Sequence, residues 1–305
     1  APLAAGPEPT ASGFGVVAAQ VDAVWDRPLA DGALVPQGRI RLQSGAAQLE
    51  LFSGVNVVVE GEAEFEIRSA MEMAVHRGRI RARVPGPAQG FRIHTPEGEV
   101  VDLGTEFGLA VGDGAAEVHV LDGEVEWHTP GAPKQLMTEG QALRQSGGAS
   151  ATPDSAPAFL GLEELNTLRL QSLNDRRQQA LAARSQLSAD ARLLAHYTVD
   201  ATAVAARRLP NHAGASTDGA IVAAAPAADR FGQPGAAWDF TPAGSRVRLG
   251  VPGEHGSVTL LCWVKINSLD RWWNSLFLTD GHDLHEPHWQ IMDDGRLFFS
   301  VKKND

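Results

Sequence analysis

The chain has 305 residues, 43% of them hydrophobic, with a single cysteine and a formal net charge of -11. That length suits about two domains with a sizeable core, and the lone cysteine excludes an intramolecular disulfide. The acidic balance, with no basic run interleaved with aromatics, argues against nucleic acid or an anionic membrane surface as partner, and no apolar run approaches the ~18 residues that would span a bilayer.

Residues 1–13, rich in Pro, Ala and Gly, predict a flexible spacer. They carry no charged and apolar leader pattern and so do not read as a signal peptide; they resemble a spacer emerging from a preceding segment. Residues 14–25 predict the first strand or two. Strands then follow at short intervals. Ile40 and Leu42 alternate with Arg39 and Arg41, Val55, Val57 and Val59 with Asn56 and Val58, and Ala63, Phe65 and Ile67 with Glu62, Glu64 and Glu66. Ile80, Ala82 and Val84 alternate with Arg79, Arg81 and Arg83. Strict alternation means one buried and one wet face, and the acidic and basic rows are expected to share the wet face of one sheet, where cross-strand pairing would help set register. Gly-Arg-Ile-Arg occurs at residues 38–41 and again at 78–81. The ~40-residue period leaves two architectures open, a solenoid-like stack of strands or an ordinary two-sheet sandwich.

Residues 95–127 are the densest stretch of pattern. Phe107, Leu109 and Val111 alternate with smaller or polar residues, as do Val118 and Val120, then Val125 and Trp127; Gly112-Asp113-Gly114 and Asp122-Gly123 punctuate them. This predicts successive short antiparallel strands. The run T-P-x-G-x-V-x-D-L-G-T-x-F, from Thr95 to Phe107, followed by E-V-H-V-x-x-G-E-V from Glu117, resembles the extracytoplasmic domain of the FecR family. The resemblance implies a β-sandwich or β-solenoid-like domain over residues 14–145 in a membrane-tethered regulator of extracytoplasmic-function sigma factors.

Residues 146–192 predict a Gly/Ser/Pro linker followed by a helix without Gly or Pro. Leu173, Ala180, Leu187 and Leu194 are spaced by seven, so the helix is expected to rest on a neighbouring domain through Leu173, Leu187 and Leu194, or to form a dimer seam. Residues 193–305 resemble a laminin-G-like, concanavalin A-like jelly roll, through Trp238-Asp239-Phe240, residues 260–269 and Asp293-Asp294-Gly295; about 115 residues make the module incomplete. Within it residues 258–266 predict a buried strand, with Cys262 as a small core residue. The predicted class is thus mainly β, with a connecting helix.

Chemistry-bearing motifs are sparse. Asp280, His282, Asp283, His285, Glu286 and His288 form the densest ligand-like run. Its histidines suit zinc if they converge, and its carboxylates suit calcium, though a solvated loop explains the same residues. Asp102-Leu103-Gly104-Thr105 reads as a tight bend in which Asp102 or Thr105 satisfies backbone amides. Glu64 and Glu66 read as a charged face rather than a glycosidase pair. Nucleophile-elbow, phosphate-loop and paired-cysteine motifs do not occur. The reading is therefore a non-enzymatic regulator without catalytic residues or cofactor. Its expected partners are envelope proteins and, through a segment outside this chain, a sigma factor. Its expected place is extracytoplasmic, tethered by a transmembrane helix outside the chain, with the jelly roll as a ligand- or glycan-docking arm. The alternative is a carbohydrate-binding surface protein with the FecR-like domain as scaffold.

Overall fold

The structure, a computed structural model, describes residues 13–303 except 130, 154–157, 200–206, 214–215 and 282. Strands hold 45% of it and helical residues 11%, as the alternation implied. Two compact units divide the chain, Ala1–Val251 and Pro252–Asp305.

The first unit opens with an antiparallel meander of β1 (Gly15–Trp25), β2 (Arg39–Leu51), β3 (Asn56–Ser69) and β4 (Glu72–Arg83). Then come β5 (Arg92–Thr95), β6 (Gly98–Asp102), β7 (Glu106–Gly112), β8 (Ala115–Asp122), β9 (Glu124–His128), β10 (Gln135–Thr138), β11 (Ala142–Ser146) and β12 (Ala149–Ala151). All twelve belong to one sheet, which forks at β4. The start of β4 pairs in parallel with β5 and leads to a wing ordered β5–β6–β9–β10. The end of β4 pairs with β7 and leads to a wing ordered β7–β8–β11–β12. Register shifts between Leu42 and Ala46 and between Glu60 and Glu64 mark bulges in the long strands, and bulges bend strands and raise their twist. The curled sheet encloses one large core to which Phe65, Phe91, Phe107 and Trp127 all contribute. Each fully buried side chain of this size contributes ~1.5–3 kcal/mol, so this core carries the fold.

The two Gly-Arg-Ile-Arg copies lie on β2 and β4 and pair with opposite edges of β3: Arg39 stands opposite Glu66 and Arg79 opposite Glu60. The repeat therefore marks two flanks of one strand rather than successive coils. The acidic and basic rows share this sheet, but the bulge after Glu60 displaces the pairing. Arg79 meets Glu60 and Arg77 meets Glu62, both at 3.6 Å, while Glu64 takes Arg39 at 2.9 Å and Arg81 turns to Glu106 at 2.7 Å.

Beyond the sheet, α1 (Leu162–Ser188) is the one α-helix among the described residues. Glu163 and Glu164 in its first turn complement the positive end of its dipole. Its docking departs from expectation. Leu165 is its one buried residue, whereas Leu187 is 43% exposed; Leu173 is half-buried, and Leu194 lies past the helix end. The apolar contact with the sheet is made at the first turn, by Leu162 and Leu165 against Val21, Ala46 and Val58, while Leu168, Leu170, Leu181 and Leu187 are all exposed. Polar contacts from Arg169 to Asp31 and from Ser172 and Arg176 to Asp22 lie along its first half.

Next come β13 (Arg208–Leu209), β14 (Gly219–Val222), β15 (Ala225–Ala227), β16 (Ala237–Asp239) and β17 (Arg246–Arg248). They make a three-stranded sheet, β13–β14–β17, and a two-stranded ladder, β15–β16. Leu209 and Ile221 are buried there against Tyr197, Trp238 and Val247.

The second unit holds one antiparallel sheet of β18 (Trp273–Phe277), β19 (Pro287–Met292) and β20 (Leu297–Val301). Trp273 packs on Phe298 at 4.8 Å, and Phe277 stacks on Trp289 at 5.7 Å between ring centroids. The expected buried strand over residues 258–266 is not there: the segment is irregular and exposed, with Leu261 at 74% and Trp263 at 76%, and Cys262 is exposed as well. Among the described residues no strand pairs with this segment.

Candidate interaction surface

The D-L-G-T motif sits where the chain crosses from one wing to the other. Residues 102–106 lead from β6 to β7, and Gly123 leads back from β8 to β9. The two crossings run side by side. The Leu103 amide donates to the Glu124 carbonyl at 3.1 Å, and the Thr105 hydroxyl donates to the same carbonyl. The Gly104 amide donates to Asp102 Oδ2 at 2.7 Å, with Gly104 at φ +101. Asp102 is fully buried and its other oxygen, Oδ1, has no partner in hydrogen-bond geometry. Burial pushes its carboxyl above the ordinary range, opposed by the Gly104 amide and by Thr105. The motif is thus the pin that joins the wings, in keeping with a structural bend.

The outer face of β5, β6 and β9 carries a row in which histidines alternate with carboxylates. His94 Nε2 lies 2.9 Å from Glu72 and 4.0 Å from Glu99; His128 lies 3.7 Å from Glu99 and 2.8 Å from Glu126, which also takes Lys134 at 3.2 Å. A hollow of about 150 Å³ lies beside the β7–β8 turn, lined in part by His76, Arg77 and Glu97. Small-molecule sites occupy about 300–1,000 Å³, so it falls short of one.

On the outer face of the other wing, Phe159 is 8% exposed and lies over Gly108. The Arg79 guanidinium is 5.5 Å from its ring centroid and the His119 ring 5.4 Å. Arg81 Nη1 donates to the Phe159 carbonyl at 3.3 Å, and the Leu160 amide donates to Glu60 at 3.0 Å. Beside it Leu165, Val21, Ala46 and Val58 form a second, small core, with Leu160 and Leu162 packed against it. The sequence reading passed over this site because Phe159 follows a Pro/Ser/Ala stretch. A signal was nonetheless present: the unbroken Val57-Val58-Val59 requires both faces of β3 to be covered.

The sheet has three outer strands, β1, β10 and β12. The edge of β1 is blunted by residues 32–35, whose backbone bonds to Gly15 and Val17. No strand pairs with the outer edges of β10 and β12 among the described residues.

The ligand-like run of the second unit spreads along a turn. Asp280 lies in the bend after β18, Asp283, His285 and Glu286 precede β19, and His288 lies on it; His282 falls outside the described residues. Glu286 accepts the Asp283 amide at 2.8 Å, the His285 amide donates to the Lys302 carbonyl at 2.7 Å, and His288 meets Thr279 at 3.2 Å. Among the described residues no group of three or more His, Cys, Asp or Glu is arranged to hold a metal ion. No described helix is long and apolar enough to cross a membrane.

No curated protein matches the chain. Two crystal structures of a candidate anti-sigma factor from Parabacteroides distasonis ATCC 8503 are similar to it, with TM-scores of 0.34 and 0.33 at 18% and 19% identity. Each alignment covers 38% of this chain and 59% of the other, so the chain spans about three-fifths of those proteins' length. Residues 39–126, from the start of β2 into β9, match the family described as FecR protein.

Proposed function

We propose that the chain is the extracytoplasmic part of a FecR-type regulator of a sigma factor, acting through protein contacts and catalysing nothing. The observation that carries this is the FecR match over residues 39–126, which spans the crossover pin and the inner strands of both wings. In this reading the β-domain relays an envelope signal towards a sigma-binding segment outside this chain, through a membrane tether also outside it. The open edge of β10, where Leu136 is 54% exposed, suits pairing with a partner's strand. The test is an in-frame removal of residues 14–145 from the full-length protein in its own cells, with transcript profiling. A sigma-dependent set of transcripts should lose its response to envelope conditions; an unchanged profile contradicts the proposal.

The resemblance of residues 193–305 to a laminin-G-like module makes that region the docking arm for a ligand or glycan. Exposed Trp263, Trp272 and Trp273 favour a glycan, since indoles supply apolar faces for sugar rings. This also keeps the alternative of a carbohydrate-binding surface protein in view. Retention of the full-length protein on immobilised envelope polysaccharide tests it, and no retention removes the glycan reading.

A further inference from the structure

We propose that the outer face of the large sheet, from β1, β2 and β3 across β4 to β7 and β8, is a docking platform for a segment with an aromatic anchor followed by leucines. Its resident occupant is this chain's own residues 158–165, and that segment is a releasable latch holding α1 to the β-domain.

The contacts resemble those of a receptor with a bound peptide more than those of a core. Phe159 is an anchor lying on a glycine floor, with Arg79 and His119 around its ring. The main chain beside the anchor is gripped from two sides, by Arg81 at the Phe159 carbonyl and by Glu60 at the Leu160 amide. Leu165 then closes the site against Val21, Ala46 and Val58.

Three features make the segment separable. It follows β12, the last strand of the large sheet, and residues 158–161 pair with no strand, so its departure breaks no ladder. Its small apolar cluster is distinct from the large core. The platform's polar groups keep their own carboxylates: Arg79 has Glu60, Arg81 has Glu106, and the His119 ring has Glu117 at 2.6 Å. Leaving a buried charge unpaired is the usual large penalty on opening such a site, and here it does not arise. The segment therefore opens as a local unit below the global unfolding free energy. An open platform offers the same glycine floor and charged grips to an equivalent segment in trans. None of this rests on the regulatory reading; it would hold for the β-domain in any role.

The test is native-state hydrogen exchange on the full chain. Amides of residues 160–168 should exchange through an opening that leaves β2–β4 protected. Phe159→Ala should speed their exchange by ~100-fold or more while β2–β4 keep their protection. If that variant does not fold, wild-type exchange under increasing sub-denaturing urea decides the same point. A synthetic peptide of residues 158–165 should bind the Phe159→Ala chain, and the same peptide with alanine at the Phe159 position should not. Exchange of residues 160–168 only with global unfolding, or loss of protection in β2–β4 to the same degree, overturns the latch. Equal behaviour of the two peptides overturns the platform.

Discussion

The ring of Phe159 rests on the backbone of Gly108, so closely that a Cβ on the glycine would overlap the ring. Gly108→Ala should therefore lift Phe159 and cost ~1–3 kcal/mol, the usual range for overpacking a closed site. In a Phe159→Ala background the same change should cost much less, because the atoms it strikes are gone. Urea denaturation of the wild type, both single variants and the double variant measures this coupling; additive effects would mean that the two residues do not share a site.

Asp102 gives a pH dependence of defined sign. Its folded-state pKa is raised above 3.8 by burial, so the folded chain binds more protons than the unfolded chain just above that pH. Stability then falls as pH rises through the interval between the two values and levels off above it. Asp102→Asn retains an acceptor for the Gly104 amide and should flatten this slope, with the variant gaining most relative to wild type at neutral pH. Denaturation midpoints from pH 4 to pH 8 provide the check, and parallel curves for the two proteins would refute the assignment.

His76 contributes the opposite slope. Burial lowers its pKa from 6.5, helped by Arg39 and Arg68 and opposed by Glu64 and Glu66, and its Nε2 is buried without a hydrogen bond. The unfolded chain binds the proton more readily, so stability is lost as pH falls below about 6.5. His76→Gln should remove that loss. Its midpoint should move towards or above that of wild type at pH 5, relative to their difference at pH 8.

The helix supplies a positional prediction. Leu165 is fully buried, whereas Leu170 is 68% exposed. Leu165→Ala should cost ~2–5 kcal/mol of docking stability, and Leu170→Ala should stay within ~0.5 kcal/mol of wild type. Thermal unfolding followed by circular dichroism separates the two.

These contrasts show what was legible in the chain. Alternation read correctly wherever one face meets the large core: Leu42, Val57, Phe65, Ile80, Phe107 and Val125 are each fully buried. Turn chemistry was equally plain, with Asp113 and Gly114 both at positive φ between β7 and β8. The Asp122-Gly123 turn was less so, because β8 and β9 lie on different wings, and local pattern does not say which strand a turn leads to. The docking of α1 was misread because heptad spacing reports where leucines recur, not which surface receives them. Val21, Ala46 and Val58, which receive Leu165, lie more than 100 residues away in sequence. The apolar content of residues 258–266 likewise states a need for burial without naming a partner strand.

The central claim is that this chain belongs to a sigma-factor regulator, and affinity purification of the full-length protein from its own membranes tests it most directly. The account predicts that an extracytoplasmic-function sigma factor is recovered with it, and that solubilised protein lacking the sequence outside this chain loses that partner. Recovery of envelope polysaccharide with no sigma factor under the same conditions would contradict the claim and favour a carbohydrate-binding surface protein.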